Sequence, residues 1–227
     1  VLTDQGFMSI LYKQARKWNI KFVLAGMNVV TEQILPRHWV YNKSDTINIR
    51  SIQKQFGTKP LSSLKSYPFL NYFTKKYCTH VLKLEVISPL NYIEFNYDSV
   101  KEIIKTELNW RDYGGKHYES IWTRFYQGYI LPRKFNIDKR KAHLSNLIFS
   151  GQMTKEEALD KLKVQPYESF DLMLQDREYV LKKLGVSEDR FREYMNEERR
   201  EHTEFDFLKS LWDTYPFLKP FKKILNR

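Results

Sequence analysis

The feature that most restricts the fold is a short apolar run that directly follows an amphipathic stretch. Apolar residues recur at helical spacing between residues 5 and 18, which predicts a helix there. Residues 20–26, IKFVLAG, are mostly apolar and end in Gly26, as is typical of a strand buried in a parallel sheet. A helix followed by such a strand is half of an α/β unit. Ligands of open α/β sheets bind beyond the carboxyl ends of strands, so residues 27–39 are the first candidates for a site.

The remainder of the chain is predicted to be mainly helical. Helices are expected at 45–56, 67–77, 98–108, 138–148, from 154 onward, at 169–184 and at 187–201, with a second strand at 81–87. Thr154 and Glu157 have the spacing of a capping box, which marks the start of one of these helices. The pattern therefore predicts an α/β domain that continues into a helical region.

Composition indicates the kind of partner and the compartment. The 227 residues carry 38 Lys and Arg against 27 Asp and Glu, a net charge of +11, which favours an anionic partner. Hydrophobic residues make up 42% of the chain, enough to bury a core. The single Cys78 excludes an internal disulfide and a cysteine-built zinc site. Neither a signal peptide nor a bilayer-length apolar stretch is evident, so a cytoplasmic location is expected.

The densest group of unusual residues is WRDYGGKHYES at 110–120. Its two glycines form a turn that lets the backbone approach a ligand closely. If a helix begins near Lys116, its N-terminus and its cations would together suit an anion. One face of that helix would carry Lys116, Ser120, Arg124 and Gln127. The alternative interpretation is a solvated basic stripe above an apolar helix face.

A second basic group surrounds the predicted helix at 138–148. It contains Arg133, Lys134, Lys139, Arg140 and Lys141, with His143 three residues after Arg140. Cations in the first turn of a helix oppose its dipole, at a cost of about 0.3–1 kcal/mol each when unpaired. This unfavourable choice suggests that a bound anion compensates, and a charged helix start without a ligand is the alternative.

Polar residues also follow the first strand, at Asn28, Thr31 and Glu32. A carboxylate beyond a strand end could hold Mg²⁺ together with phosphate oxygens, and a Glu that caps a helix is the alternative. His38 and His80 have no partners at the spacing of metal ligands, and no Ser/His/Asp or Cys/His arrangement can be argued.

These stretches resemble the N-acetyl sugar amidotransferases, a family of PP-loop ATP pyrophosphatases that serves the biosynthesis of O-antigen and pseudaminic-acid-type sugars. The motifs are GxNxxTExIxP at 26–36, WRDYGGKHYES at 110–120, TRF at 123–125, LPRKF at 131–135, DKRKAHLS at 138–145 and SGQ at 150–152. The resemblance covers most of residues 1–167, and nothing specific is recognised from about residue 169 onward.

The resemblance implies a fold class and a reaction. The fold would be the C-terminal portion of a PP-loop, adenine nucleotide alpha hydrolase-like, doubly wound α/β domain with a largely helical C-terminal extension. The reaction would convert the N-acetyl group of an activated sugar, such as a nucleotide sugar or a nonulosonic acid, into an acetamidino group. ATP would adenylylate the amide oxygen with Mg²⁺ present, ammonia would attack, and AMP would leave. Ammonia would come from partners similar to the glutaminase and cyclase subunits of imidazole glycerol phosphate synthase.

The resemblance also implies roles for individual residues. The predicted catalytic residues, which neutralise charge on pyrophosphate as it forms, are Lys116, Arg124 and Arg140. ATP and pyrophosphate would be bound by Asn28, Arg133 and Lys139, and the sugar substrate by Trp110, Tyr113, His117 and Glu119. Glu32 would hold the metal. Replacing Lys116 or Arg124 by Ala is expected to depress turnover while leaving the fold largely intact.

One family feature does not occur in the sequence, the Ser-Gly-Gly-x-Asp-Ser phosphate loop. The family has this loop upstream of the motifs found here, so we expect a truncated chain that binds ATP poorly by itself. The expected organisation is the remainder of a nucleotide-binding domain at 1–109, a family-specific helical region at 110–168 and a helical extension at 169–227.

The sequence is also compatible with two other functions. PP-loop enzymes also modify tRNA, and a basic chain with many aromatic residues suits RNA. The other alternative is a helical scaffold that docks acidic partners and performs no chemistry.

Overall fold

The computed structural model describes residues 2–39, 45–70 and 72–209, most of which are helical. The α-helices in these ranges are α1 (Leu2–Lys17), α2 (Val29–Glu32), α3 (Thr46–Phe56), α4 (Tyr72–Lys76), α5 (Tyr97–Leu108), α6 (Ile121–Phe125), α7 (Leu131–Phe135), α8 (Arg140–Phe149), α9 (Lys155–Lys163), α10 (Phe170–Leu184) and α11 (Glu188–Asn196). Two strands are described, β1 (Phe22–Leu24) and β2 (Glu85–Ile87). Single π-helical turns follow α4 at Tyr77–Val81 and α6 at Tyr126–Ile130.

The two strands pair in parallel, with Phe22 opposite Glu85 and Leu24 opposite Ile87. The first strand therefore lies in a parallel sheet, as predicted, although both strands are shorter than expected. The predicted burial of the first strand is wrong, since Phe22 is 58% and Leu24 is 73% exposed. Within the described residues the sheet has only these two strands, so the fold there is mostly helical rather than doubly wound.

Most predicted helices are present. Their ends are set by capping interactions between residues that are close in sequence. Asp45 begins α3 by accepting hydrogen bonds from the Ile47 and Asn48 amides, and Thr154 and Glu157 form the predicted capping box of α9. Gly185 ends α10 in the left-handed conformation that glycine adopts without strain. The expected helix at 67–77 is wrong in extent, since α4 covers Tyr72–Lys76 and continues only as a π turn.

The chain divides into two compact units. The first unit takes its described residues from 1–24, 41–87 and 200–227, and the second consists of 25–40 and 88–199. The core of the first unit contains Tyr12, Ala15, Leu70, Cys78 and Leu84. Burial raises the pKa of the Cys78 thiol, which favours its neutral form.

The core of the second unit is built from residues that lie between positions 125 and 191 of the chain. Its buried members are Phe125, Ile130, Tyr167, Met173, Val180, Leu181 and Phe191. Rings stack inside it, with Phe125 5.0 Å from Tyr129 between ring centroids. This cluster holds α6, α10 and α11 together, and it forms the support on which the residues at 110–168 are arranged.

A charged network borders this apolar cluster. Asp176 on α10 is 3% exposed and accepts hydrogen bonds from Arg124 Nε at 2.6 Å and Nη2 at 2.8 Å. The Tyr167 hydroxyl donates to the same carboxylate at 3.0 Å. A hydrogen bond and charge from Asp176 raise the pKa of Arg124, and burial followed by the Asp176 charge raises the pKa of Tyr167. The bidentate geometry satisfies a carboxylate that could not otherwise be buried at low cost.

Within the described residues, no helix combines the length and the apolar content that crossing a bilayer requires.

Removing one partner of the buried pair is expected to destabilise the second unit. Arg124→Ala leaves the Asp176 carboxylate buried without its cation, so we expect a loss of about 3–5 kcal/mol in the free energy of unfolding. Urea denaturation measures this loss. Arg192→Ala, which removes an exposed ion pair with Asp189, should leave the free energy almost unchanged.

A triple variant distinguishes the cost of an unpaired buried charge from the cost of lost packing. Replacing the network together by Arg124→Met, Asp176→Leu and Tyr167→Phe removes every unpaired polar group and is expected to restore most of the stability. Wild-type stability of Arg124→Ala would contradict the buried pair.

Candidate functional site

A cavity of about 510 Å³ in the second unit is the candidate site, and we call it the main cavity. Its wall combines residues from four separate stretches of sequence, at 31, 97–101, 114–118 and 127–168. A smaller side cavity of about 290 Å³ shares residues 114–116 with it. Three sequence motifs therefore contribute to one wall. They are the motif after the first strand, the motif around the double glycine and the motif that precedes α8.

The double glycine makes the turn that was predicted from its sequence. Gly114 has a φ of +80°, and its amide donates to the Asp112 carboxylate at 3.0 Å. A Cβ added at Gly114 would lie 2.4 Å from Glu168 Oε1, so glycine allows this close approach as well as the positive φ. Asp112 is also paired with Lys101, whose hydrogen bond holds the pKa of that carboxyl below its usual range.

Lys116 follows this turn, but it does not begin a helix. The next helix, α6, starts at Ile121 with Ser120 as its N-cap, and His117 has a φ of +67° that interrupts any helix before it. The predicted common face of Lys116, Ser120, Arg124 and Gln127 is therefore wrong. Lys116 Nζ instead lies 2.9 Å from Glu32 Oε1 and donates to the Thr31 carbonyl at 3.0 Å. Both partners are at the end of α2, so the lysine links the turn to that helix.

Asn28 and Glu32 lie at opposite ends of α2. Asn28 is buried and caps the helix, accepting hydrogen bonds from the Thr31 amide at 2.9 Å and the Thr31 hydroxyl at 3.2 Å. Glu32 is already neutralised by Lys116. Among the described residues there is no group of three or more His, Cys, Asp or Glu side chains arranged to hold a metal ion. The side chains present thus do not form a protein-built Mg²⁺ site, and Glu32 offers one carboxylate that it shares with a lysine.

Arg140 lines the main cavity with its charge balanced by Asp138. The guanidinium donates to both oxygens of that carboxylate, at 2.7 Å from Nη2, and to the Val164 carbonyl at 2.7 Å. Burial raises the pKa of Asp138, but the bonds and charge of Arg140 outweigh it, and the pKa is lowered overall. The cost of placing cations at the start of α8, which suggested a bound anion, is therefore offset in part within the protein.

The other predicted phosphate ligands differ in their surroundings. Lys139 lines the main cavity and lies 6.0 Å from the ring centroid of Trp39. Arg133 is exposed on α7, does not line either cavity, and stacks over the Tyr129 ring at 4.0 Å. Arg124 also lies outside both cavity walls because Asp176 holds it in the core. The structure brings Lys116, Lys139 and Arg140 together and leaves Arg124 and Arg133 apart from them.

The four residues predicted to bind the sugar line the side cavity together. They are Trp110, Tyr113, His117 and Glu119. The rings of Trp110 and Tyr113 meet edge to face with centroids 5.2 Å apart, and the carboxylate of Glu119 lies 3.9 Å from the Nδ1 of His117. Two aromatic rings beside a carboxylate and an imidazole suit a polyhydroxylated ligand.

His143 is the residue of the main cavity whose importance the sequence analysis missed. It lies on α8, and its Nε2 atom is buried without a hydrogen-bond partner among the described residues. Burial, and then the charges of Lys116 and Lys139, lower the pKa of His143 to about 4. Burial also lowers the pKa of His117, whose ring centroid is 6.3 Å away. Only the placement of His143 within the motif at 138–145 could have indicated it.

The lowered pKa of His143 predicts a loss of stability in mild acid. The unfolded chain binds a proton near pH 6.5 and the folded protein only near pH 4, so the free energy of unfolding falls as pH decreases between these values. Asp112 and Asp138 act in the same direction, because their pKa values are also lowered in the folded protein, but their contributions are lost only below about pH 3.8. Urea denaturation across pH 4–7 is the measurement.

Matched variants test whether His143 causes this pH dependence of the free energy of unfolding. His143→Gln should flatten the dependence between pH 6.5 and 4 in part, with the remaining slope due to His117. His80→Gln changes an exposed imidazole of the first unit and should leave the slope intact. An unchanged slope in His143→Gln would contradict the lowered pKa.

Comparison with known proteins covers the second half of the chain. Residues 119–219 match the family model described as LPS biosynthesis protein WbpG-like, C-terminal domain. No curated protein and no solved structure matches the chain. The matched segment includes residues beyond 169, in which the sequence analysis recognised nothing specific. Over residues 119–219 the chain is thus similar to the C-terminal domain of WbpG-like lipopolysaccharide biosynthesis proteins.

Proposed function

We propose that the protein takes part in lipopolysaccharide biosynthesis as an ATP-dependent amidotransferase, which converts an N-acetyl group of an activated sugar into an acetamidino group. The observation that carries the proposal is the common wall of the main cavity. Thr31, the turn at 114–116 and residues 138–143 come from three motifs that resemble the N-acetyl sugar amidotransferases, and they line the same space. The match of residues 119–219 to a lipopolysaccharide biosynthesis domain supports the same pathway.

The proposed chemistry begins with an amide, which is a poor electrophile. ATP, as a substrate, transfers its adenylyl group to the amide oxygen and releases pyrophosphate. Ammonia then displaces AMP from the activated carbon. Negative charge develops on phosphate oxygens in the first step, and preorganised cations stabilise such charge most when water is excluded. Among the cations that line the main cavity, we assign this role to Lys116, Lys139 and Arg140.

The internal ion pairs refine these roles. Lys116 and Arg140 each have a carboxylate partner, so they are held in position before any ligand arrives. We assign Arg124 a supporting role, since its guanidinium fastens α10 rather than facing the cavity. Arg133 is a surface residue in this proposal.

The metal assignment follows from the contacts of Glu32, whereas the partner assignment rests on the family resemblance. Mg²⁺ would enter bound to the phosphates of ATP, because Glu32 offers only a carboxylate shared with Lys116. Ammonia would be delivered by glutaminase and cyclase partners similar to those of imidazole glycerol phosphate synthase. Free ammonium salts would replace those partners in an assay.

The test is AMP formation by the native full-length protein with ATP, an ammonium salt and a panel of N-acetylated nucleotide sugars. Mass spectrometry of the sugar product should find a loss of 1 Da, since an oxygen atom is replaced by an NH group. Lys116→Ala should lower kcat by about 10²–10³-fold, the usual cost of removing a preorganised donor. Lys163→Ala, an exposed lysine of α9, is the matched control and should retain activity.

Failure of the wild-type protein to form AMP with any sugar of the panel would reject the proposed function. Equal activity of Lys116→Ala and Lys163→Ala would reject the role of the cavity while leaving the reaction in place. Binding of tRNA that weakens steeply with salt would favour the RNA alternative.

A glycine pair tests the cavity wall without changing its charges. Gly114→Ala and Gly185→Ala both force alanine into a positive φ, at a cost of about 1–2 kcal/mol each. Gly114 lines the main cavity beside Glu168, whereas a Cβ at Gly185 meets only open space. We expect Gly114→Ala to lower kcat/KM by about tenfold or more and Gly185→Ala to leave it nearly unchanged. Equal activity of the two variants would contradict a catalytic role for this wall.

A further inference from the structure

The unpaired Nε2 atom of His143 is a buried polar group that the fold itself does not explain. Buried polar atoms are nearly always hydrogen-bonded in native proteins, and exceptions often mark a functional group. His143 lines the main cavity, so a ligand there is a candidate for the missing partner.

The helix that carries His143 is firmly positioned. Asn146, one turn further along α8, is 3% exposed and accepts a hydrogen bond from the Ile34 amide at 2.7 Å. Its own amide donates to the Ala142 carbonyl at 2.8 Å. This anchor fixes α8 against the segment that follows α2, so the imidazole is supported by a rigid element.

Charged and titratable groups of every neighbouring element set the protonation state of His143. Lys116 and His117 belong to the turn before α6, and Asp138 and Lys139 precede α8. From the elements packed against α8, α2 contributes Glu32 beside Lys116, and α9 contributes Lys161 to the same cavity wall. The cations and the burial outweigh Asp138, so the imidazole is neutral at pH 7 and one ring nitrogen has a free lone pair.

We propose that His143 is a catalytic residue of the amidotransferase reaction, and that its Nε2 accepts the proton that ammonia loses when it attacks the activated carbon. This inference rests on the proposed function, and it requires the neutral imidazole to carry its proton on Nδ1.

The step balances in atoms and charge. The lone pair of ammonia forms the new C–N bond, and the C–O bond to AMP breaks with its electron pair going to the AMP phosphate. One N–H proton of the attacking nitrogen passes to His143 Nε2, and the product is an amidinium. The nitrogen becomes acidic only once it has bonded to the carbon, so a weak base suffices at this stage.

Bound phosphate groups would strengthen that base. An anion beside Lys116 and Lys139 offsets the two cations that disfavour protonation of His143, and its pKa then rises towards the working pH. His143 would therefore act as a base chiefly when the nucleotide is present.

The other bases that line the main cavity are less suited to accept the proton from the attacking nitrogen. Asp138 is bound on both oxygens by Arg140. Glu168 is an exposed carboxylate of the same wall, and it is the competing candidate. Glu168→Gln is therefore the variant against which His143→Gln is compared.

The first experiment does not depend on turnover. Nitrogen-15 NMR of histidine side chains in the native full-length protein reports the tautomer and pKa of His143, assigned with His143→Gln. We expect a proton on Nδ1, a pKa near 4, and an increase in proton affinity of about tenfold or more when inorganic pyrophosphate is added. The increase should be smaller in Lys116→Ala. A proton on Nε2, or no response to pyrophosphate, would overturn the inference.

The second experiment measures turnover with an ammonium salt. His143→Gln should lower kcat by about 10²-fold or more, with the KM of the sugar unchanged and the acidic limb of the kcat–pH profile lost. Glu168→Gln should keep that limb. If the wild type is active and His143→Gln is within threefold of it, the inference fails while the proposed function stands. If the wild type forms no AMP, the function fails, and the proton transfer fails with it.

Discussion

The second unit depends on neutralising one buried carboxylate. Asp176 is only 3% exposed, and its charge is tolerated because Arg124 and Tyr167 donate to its carboxylate oxygens. These bonds join α6, α10 and the segment between α9 and α10 beside the apolar cluster around Phe125. Packing alone is non-directional, whereas a bidentate pair fixes orientation, so the network specifies how these helices meet. Arg124 is consequently used to join helices of the second unit, and it lines neither cavity.

Charges in the main cavity are neutralised by ion pairs as well. Lys116 is balanced by Glu32, and Arg140 by Asp138, although the chain as a whole carries a net charge of +11. A cavity built from such pairs holds its cations rigidly and has less net positive charge than the basic sequence motifs suggest. It can accept an anion without the cost of first ordering flexible lysines. The neutral His143 lies among these pairs, and this is the setting in which a bound phosphate most alters the proton affinity of a base.

Local sequence predicted what local interactions decide. The ends of α3, α9 and α10 are set by caps whose partners lie within a few residues of each other. The capping box of Thr154 and Glu157 was predicted from its spacing in the sequence. A parallel sheet around the first strand was predicted, and so was the turn at Gly114. Prediction failed where local signals were ambiguous. A helix beginning at Lys116 was plausible from spacing alone, but His117 adopts a positive φ and the helix starts only after Ser120.

By itself, the sequence determined the helical character of the chain, its caps, its excess of positive charge, and the motifs whose resemblance indicates sugar amidotransferase chemistry. Only the tertiary structure decided which of those cations face a cavity and which are used in the core. Ion pairs such as Lys116 with Glu32 and Arg124 with Asp176 join residues far apart in the chain. No periodicity encodes such a pair, because its energy depends on burial, and burial exists only after the helices have packed.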